Sequence, residues 1–267
     1  MSFGPEVSNW KYSLFLENKK NNFNKDNILN ILKKKDIDEA YNTISTWNNY
    51  FRTPVISLNK LAKKLNINKI FYKDESKRFN LKSFKALGGA YAVEKITKGK
   101  KEIVVSTATA GNHGRSVAWG AQKLGLKCKI FISEHVSEFR AEKMRSFGAD
   151  VIRVKGNYDN SLKECIKKSK QNNWQIVQDV AWQDYKLVPK LTMAGYSVMM
   201  KEISEQIKNI SILLSPIIPI STQKVLNIMN LDDKDVSLDA VLKDDILKHE
   251  VELKDSDILF KKIEDDN

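Results

Sequence analysis

The sequence predicts an α/β protein built on a parallel sheet, and three observations carry that prediction. From residue 100 onward, short apolar runs alternate with longer amphipathic ones. Gly125 and Gly148 directly follow two of the amphipathic runs, where a left-handed helix terminus favours glycine. Strands alternating with helices need crossover connections, and crossovers make neighbouring strands parallel.

Taken in order, Leu58, Leu61, Ala62 and Leu65 mark a short helix face, Ile70 to Tyr72 a strand, and Phe84 to Ile96 a helix. The alternating part then reads as strand Ile103 to Ser106, helix Asn112 to Leu124, strand Lys129 to Ile132 and helix Ser137 to Phe147. Strand Val151 to Val154, helix Ser161 to Lys170, strand Gln175 to Val177 and helix Leu191 to Ile207 complete it. There is no internal repeat. After about Ile207 the character changes. All 11 glycines lie at or before Gly195, and residues 208–267 hold 8 Lys against 13 Asp or Glu, a net of −5 that leaves +17 for residues 1–207. A junction is expected there, between an α/β region, 1–207, and a short, mainly helical tail, 208–267.

With 267 residues and 42% hydrophobic content, the chain can bury a real core. No stretch is long and apolar enough to cross a bilayer, and Met1 to Lys20 has no basic segment leading into an apolar one, so the expected compartment is the cytoplasm. The net charge of +12 does not by itself argue for nucleic acid: the lysines of 1–207 are dispersed among asparagines, without arginine clusters or interleaved aromatics. Specific nucleic-acid binding is not expected. Cys128 and Cys165 have neither metal-ligand nor disulfide spacing and read as buried free thiols; His113, His135 and His249 are far apart, so no metal site is expected.

Two segments carry chemistry. Ser83-Phe84-Lys85-Ala86-Leu87-Gly88-Gly89 puts an amine in the first turn of a helix, where positive backbone dipoles help to depress a lysine pKa and Gly88 and Gly89 would let backbone approach a flat ring. Thr107-Ala108-Thr109-Ala110-Gly111-Asn112-His113-Gly114-Arg115 follows a strand and opens a helix, whose free N–H groups can hold a carboxylate. Thr107 and Thr109 read equally as carboxylate donors or as helix-entry caps. His113 reads as a residue that holds the loop by hydrogen bonding. Asp74 to Lys77 read as the scaffold behind Lys85.

With Arg52-Thr53-Pro54, Tyr72 to Phe79, Gln178-Asp179-Val180-Ala181-Trp182 and Gly195-Tyr196, these segments resemble the diaminopropionate ammonia-lyases, a tryptophan-synthase-β-like group of pyridoxal phosphate enzymes. The resemblance implies that fold in incomplete form, pyridoxal 5′-phosphate as cofactor, and a small amino acid as substrate. It implies Lys85 as Schiff-base lysine, Asn112 as cofactor contact, Asp179 as an active-site acid, and Thr107, Thr109, Gly111 and His113 in the substrate-carboxylate loop. The implied reaction is β-elimination of 2,3-diaminopropionate to pyruvate and ammonia, with Lys85 moving the α-proton. Related lyases often carry aspartate where Ala110 stands, and alanine there resembles serine and threonine dehydratases instead. Such enzymes need a later glycine-rich loop around the cofactor phosphate. None follows Gly195, so impaired turnover is expected of a shortened enzyme, with apolar sheet edges that favour a homodimer.

The tail resembles the end of the anticodon-binding domain of methionyl-tRNA synthetase, through Leu213-Leu214-Ser215-Pro216-Ile217-Ile218-Pro219, Lys224-Val225-Leu226 and Ile258 to Glu264. It implies a chimera, either an active lyase or an inactive fusion, and no tRNA-contact residue. The alternative is a plain amphipathic extension with Pro219 near a helix start.

Overall fold

The computed structural model describes residues 31–67, 69–100, 102–217, 219–231 and 241. Met1 to Lys20, His249 and the Ile258 to Glu264 pattern lie outside the described residues.

The first described helix, α1 (Lys34–Ile44), was not anticipated from sequence; its start is tied by the Lys33 N–H donating to Asp36 Oδ2 at 2.9 Å, and it buries Ala40 and Ile44. Strand β1 (Val55–Ser57), helix α2 (Asn59–Lys64) and strand β2 (Phe71–Lys73) follow, with β1 and β2 pairing antiparallel in a small separate sheet. A 3-10 segment, Glu75–Asn80, leads to α3 (Lys85–Thr97).

The alternating part folds as the sequence predicts. Strand β3 (Val104–Ala108), α4 (Asn112–Leu124), β4 (Lys127–Ser133), α5 (Glu138–Arg145), β5 (Asp150–Val154), α6 (Tyr158–Asn172) and β6 (Gln175–Ile176) form a parallel sheet in the order β5-β4-β3-β6. Strand β3 runs two residues beyond expectation because Thr107 and Ala108 pair with Ile130 and Phe131 of β4. Side-chain alternation along β4 divides the core. Cys128, Ile130 and Ile132 pack with Val117, Ala118 and Ala121 of α4 and with Met144 of α5, while Phe131 packs on the opposite face with Ala108 and with Cys165 of α6. Burial pushes the thiol pKa of Cys128 up to about 12 and that of Cys165 up to about 11, so both stay protonated. Gly125 closes α4 at φ +67°, and Gly148 turns the chain after α5 at φ +79°.

The long helix α7 (Leu187–Leu214) runs through position 207 without interruption, since no glycine or proline lies between Gly195 and Pro216. Buried Lys208 reaches back to Glu205 at 2.7 Å, so an ion pair spans the place where composition changes. Helix α8 (Pro219–Ile228) begins at the proline, whose missing N–H is harmless at a first helical position. A small cluster of Ile212, Leu226, Met229 and Leu231 joins α7 and α8.

Three close approaches fix α3. A side chain on Gly195 would come 2.2 Å from the Leu87 carbonyl oxygen, one on Gly88 2.4 Å from the Tyr196 ring, and one on Gly120 2.7 Å from Ala90 Cα. Gly88 and Gly89 are therefore buried helix-packing residues against α7 and α4. Their role as an open approach to a flat ring is corrected by this packing.

A charge clamp joins the segment before α3 to α7. Arg78, 1% exposed, donates to Glu75 at 2.8 Å and to Glu202 at 2.6 Å, while Lys73 reaches Glu202 at 2.8 Å. Asp74 accepts from the Ser76 N–H at 3.0 Å and so caps the 3-10 turn. This is the scaffold that Asp74 to Lys77 were expected to provide.

Candidate active site

In an open parallel sheet, a crevice forms outside the carboxyl ends of two neighbouring strands whose connections leave in opposite directions. Here those strands are β3, whose chain proceeds towards β4, and β6, which lies on β3's other side. The loop Thr109 to Gly111 leaves the end of β3, and Gln178 and Asp179 leave the end of β6. Lys85 enters the same crevice from the first residue of α3.

Lys85 Nζ lies 3.0 Å from Asp179 Oδ2, a pair only partly shielded from solvent, with side-chain exposures of 30% and 22%. Nζ also lies 5.0 Å from the centroid of the Tyr196 ring and 5.6 Å from that of Phe84, which meets Tyr196 edge-on at 5.1 Å. Burial alone would lower the pKa of Lys85, but the Tyr196 phenol and the Asp179 carboxylate outweigh it and hold the ammonium above the ordinary lysine value. The sequence argument from the helix dipole predicted the opposite. A dipole falls off within a turn and is weaker than a full carboxylate in contact. Burial raises the Asp179 pKa, and its neighbours His113 and Lys85 overcome that to leave it below the usual carboxylate range. The two directions agree on an ion pair.

His113 is buried, and its Nε2 lies 2.9 Å from the Val177 carbonyl oxygen. A carbonyl only accepts, so Nε2 carries the proton and donates, tying the start of α4 to the end of β6. Nδ1 is then a bare acceptor, 3.7 Å from Asp179 Oδ2 and without a hydrogen-bond partner. Burial holds the imidazole below its ordinary pKa, with Asp179 offsetting only part of the effect.

Thr107 sits at the crevice end of β3, fully buried, and donates to Gln178 Oε1 at 2.8 Å. Gln178 Nε2 donates in turn to the Ala108 carbonyl at 2.9 Å and to Tyr158 Oη at 2.8 Å. Thr109 Oγ1 accepts from the Gly111 N–H at 3.2 Å and shapes the loop. Asn112 is the exposed first residue of α4, with no side chain capping the helix. A side chain on Gly111 would meet nothing within 4 Å, so the loop backbone is open to a ligand. Lys85, Asp179, His113 and the 109–112 loop are thus brought to one crevice, while the Thr107 hydroxyl is committed to Gln178. Sequence reasoning gave no role to Tyr196 or Gln178, although both stand in the quoted runs; their crevice positions depend on α7 and β6, which lie far along the chain from Lys85.

The crevice sets a part-exposed lysine against an acid and beside an uncapped helix start, on a parallel α/β sheet. The chain belongs to the family of pyridoxal-phosphate dependent enzymes, which matches residues 46–218, and it has the tryptophan-synthase-β-like fold in part. It is similar to diaminopropionate ammonia-lyase of Escherichia coli strain K12, 34% identical over 181 residues that cover 61% of this chain and 46% of that one. A biosynthetic L-threonine dehydratase of Haemophilus influenzae is 31% identical, over 59% of this chain and 29% of its own length. The solved structure of the Escherichia coli lyase without ligand superposes with a TM-score of 0.64 at 33% identity, covering 67% of this chain and 53% of the other. The chain spans about half the length of the curated relatives it matches first.

The residues present fit the cofactor at its reactive end. One buried polar atom close to Lys85, His113 Nδ1, has no hydrogen-bond partner, which is unusual for a closed core and ordinary for a ligand crevice. Among the described residues no glycine-rich turn follows Gly195 to hold a phosphate.

Proposed function

We propose that the chain is a pyridoxal-phosphate-dependent ammonia-lyase that performs β-elimination on 2,3-diaminopropionate, releasing pyruvate and ammonia. The observation that carries this reading is the Lys85 ammonium held 3.0 Å from Asp179 at the β3–β6 crevice. The cofactor, when bound, supplies a conjugated ring able to accept the electron pair left at the α-carbon. Lys85 is the amine that anchors it and then moves the α-proton. Asp179 stabilises Lys85 in its charged form and orients the amine in the crevice. The amides of Gly111 and Asn112 hold the substrate carboxylate, and Asn112 reaches the cofactor. His113 keeps the loop in register through Val177. Ala110 supports a second reading, elimination of water from serine or threonine, because the loop then has no carboxylate to act as a second base.

Domains are proposed as 1–207 for the lyase-like region and 208–267 for the tail, whose likeness to the end of methionyl-tRNA synthetase belongs to the same proposal. A homodimer completes the reading.

The test is an absorbance spectrum of the protein with added pyridoxal phosphate, followed by borohydride reduction and peptide mapping. The reduced adduct is expected on Lys85 and is absent in Lys85→Ala. An adduct on another lysine sinks the assignment. Pyruvate release from 2,3-diaminopropionate, serine and threonine then ranks the substrates, with at least about a hundredfold loss of any activity in Lys85→Ala.

A further inference from the structure

A second concavity opens beside the 110–112 loop, between the start of α4 and helix α5. Its volume is about 410 Å³, and Arg115, Arg140, Lys143 and Phe139 line it together with the loop. Neither Lys85, Asp179, His113 nor Tyr196 contributes to it. We infer that this cavity, which shares the 110–112 loop with the Lys85 crevice, is an anion site that takes a small phosphate-bearing molecule through Arg115, Arg140 and Lys143.

The three cations of this cavity lack acidic partners: among the described residues no carboxylate comes within 4.0 Å of any of them. The acid in the first turn of α5, Glu138, is already held by Arg145 and by Arg153, the latter at 2.5 Å. Arg115 Nε is buried and has no hydrogen-bond partner, and the guanidinium makes only a 3.5 Å contact from Nη1 to Asn112 Oδ1. Arg140 Nη1 reaches the Ala110 carbonyl at 3.4 Å, again at the outer limit of a hydrogen bond. Three positive groups held near one another without acids repel, and a multiply charged anion is what relieves that repulsion. A single carboxylate would leave two charges unanswered, whereas a phosphate or oligophosphate presents enough oxygens for two arginine forks and an ammonium. The volume is in the range of small-molecule sites, roughly 300–1,000 Å³, so the ligand is more than one simple ion. Phe139, 66% exposed, offers an apolar wall to the rest of it. The inference does not rest on the lyase reading.

The experiment is calorimetric titration of the full chain with sodium tripolyphosphate at low ionic strength. One saturable site is expected, weakening as salt is raised. The double variant Arg140→Gln/Lys143→Gln, altered at two exposed side chains, is expected to bind at least about tenfold more weakly, and so is Arg115→Gln. Lys85→Ala is expected to bind as the unaltered chain does. The proposal is overturned by unsaturable or absent binding, by equal affinity in the double variant, or by succinate binding as tightly as tripolyphosphate. It is also overturned if prior loading with pyridoxal phosphate abolishes tripolyphosphate binding, which would put the cofactor's own phosphate in this cavity.

Discussion

The charge clamp around Arg78 and the crevice around Lys85 are both ionic, and they differ in how completely their polar atoms are partnered. At the clamp every guanidinium nitrogen donates: Nε to Glu75, Nη1 to the Phe51 carbonyl at 3.0 Å and to Glu202 at 2.8 Å, and Nη2 to Thr53, Glu75 and Glu202. Tyr50 adds its hydroxyl to Glu202 at 3.0 Å. At the crevice Lys85 is part-exposed, and the buried Nδ1 of His113 lacks a partner. Buried charges that are fully bonded hold a fold in one arrangement, whereas unsatisfied groups beside an accessible amine leave bonds for something else to make. The clamp holds the chain that leads to α3; the crevice is what that positioning serves.

The largest effect is expected from breaking the clamp. Arg78→Ala would leave Glu75 buried without its cation and Glu202 with Lys73 alone, and stability should fall by about 3–5 kcal/mol. Urea unfolding followed by circular dichroism measures it. A loss below about 1 kcal/mol would mean that water or Lys73 takes over, and the contrast between the two clusters would not stand.

Next in size is the helix contact that sets where Lys85 points. In Gly195→Ala the new methyl must displace the Leu87 carbonyl, which lies 2.2 Å from its ideal position and is backbone that cannot rotate away. Overpacking of this kind costs about 1–3 kcal/mol. Because the strain falls two residues from Lys85, adduct yield with pyridoxal phosphate should drop beyond the stability loss. An unchanged melting temperature would show that α3 and α7 slide freely.

Much of this was legible in the chain. Short apolar runs alternating with amphipathic ones gave the parallel sheet from residue 103 onward, and Gly125 marked the end of α4 because its φ of +67° is poorly open to other residues. The crevice residues were legible through the Ser83 to Gly89 and Thr107 to Arg115 runs. Helix α1, strand β1 and the clamp were not, because Arg78 and Glu202 are 124 residues apart and only the tertiary fold brings them together. Helix α7 was read as ending at Ile207, where composition changes, but helix continuation depends on local propensity and packing, and Lys208 is buried against Glu205. The direction of the Lys85 pKa was misjudged for a related reason: Asp179 lies 94 residues away and its charge dominates the local dipole.

The smallest expected effect sharpens that last point. The folded pKa of Lys85 is raised, so the stability its charge contributes is fully present below the ordinary lysine value of 10.5 and is lost as pH rises through the higher folded value. Asp179 is the opposite case: its folded pKa is lowered, so its contribution is present above 3.8 and is lost as pH falls through the lower folded value. Between these limits the pair is intact, and the amine is almost wholly charged. Asp179→Asn removes the carboxylate while keeping its shape, so the Lys85 pKa should fall and the neutral fraction rise, about tenfold for each unit of change. Labelling by trinitrobenzenesulfonate near about pH 9, with peptide mapping to isolate Lys85, should be several-fold faster in the variant. Tyr196→Phe, which removes the phenol that also favours the ammonium, should act in the same direction. Slower or unchanged labelling of Lys85 in Asp179→Asn would mean that the carboxylate does not hold its proton. The pair would then be a structural contact, like the clamp, that does not govern the charge of the amine.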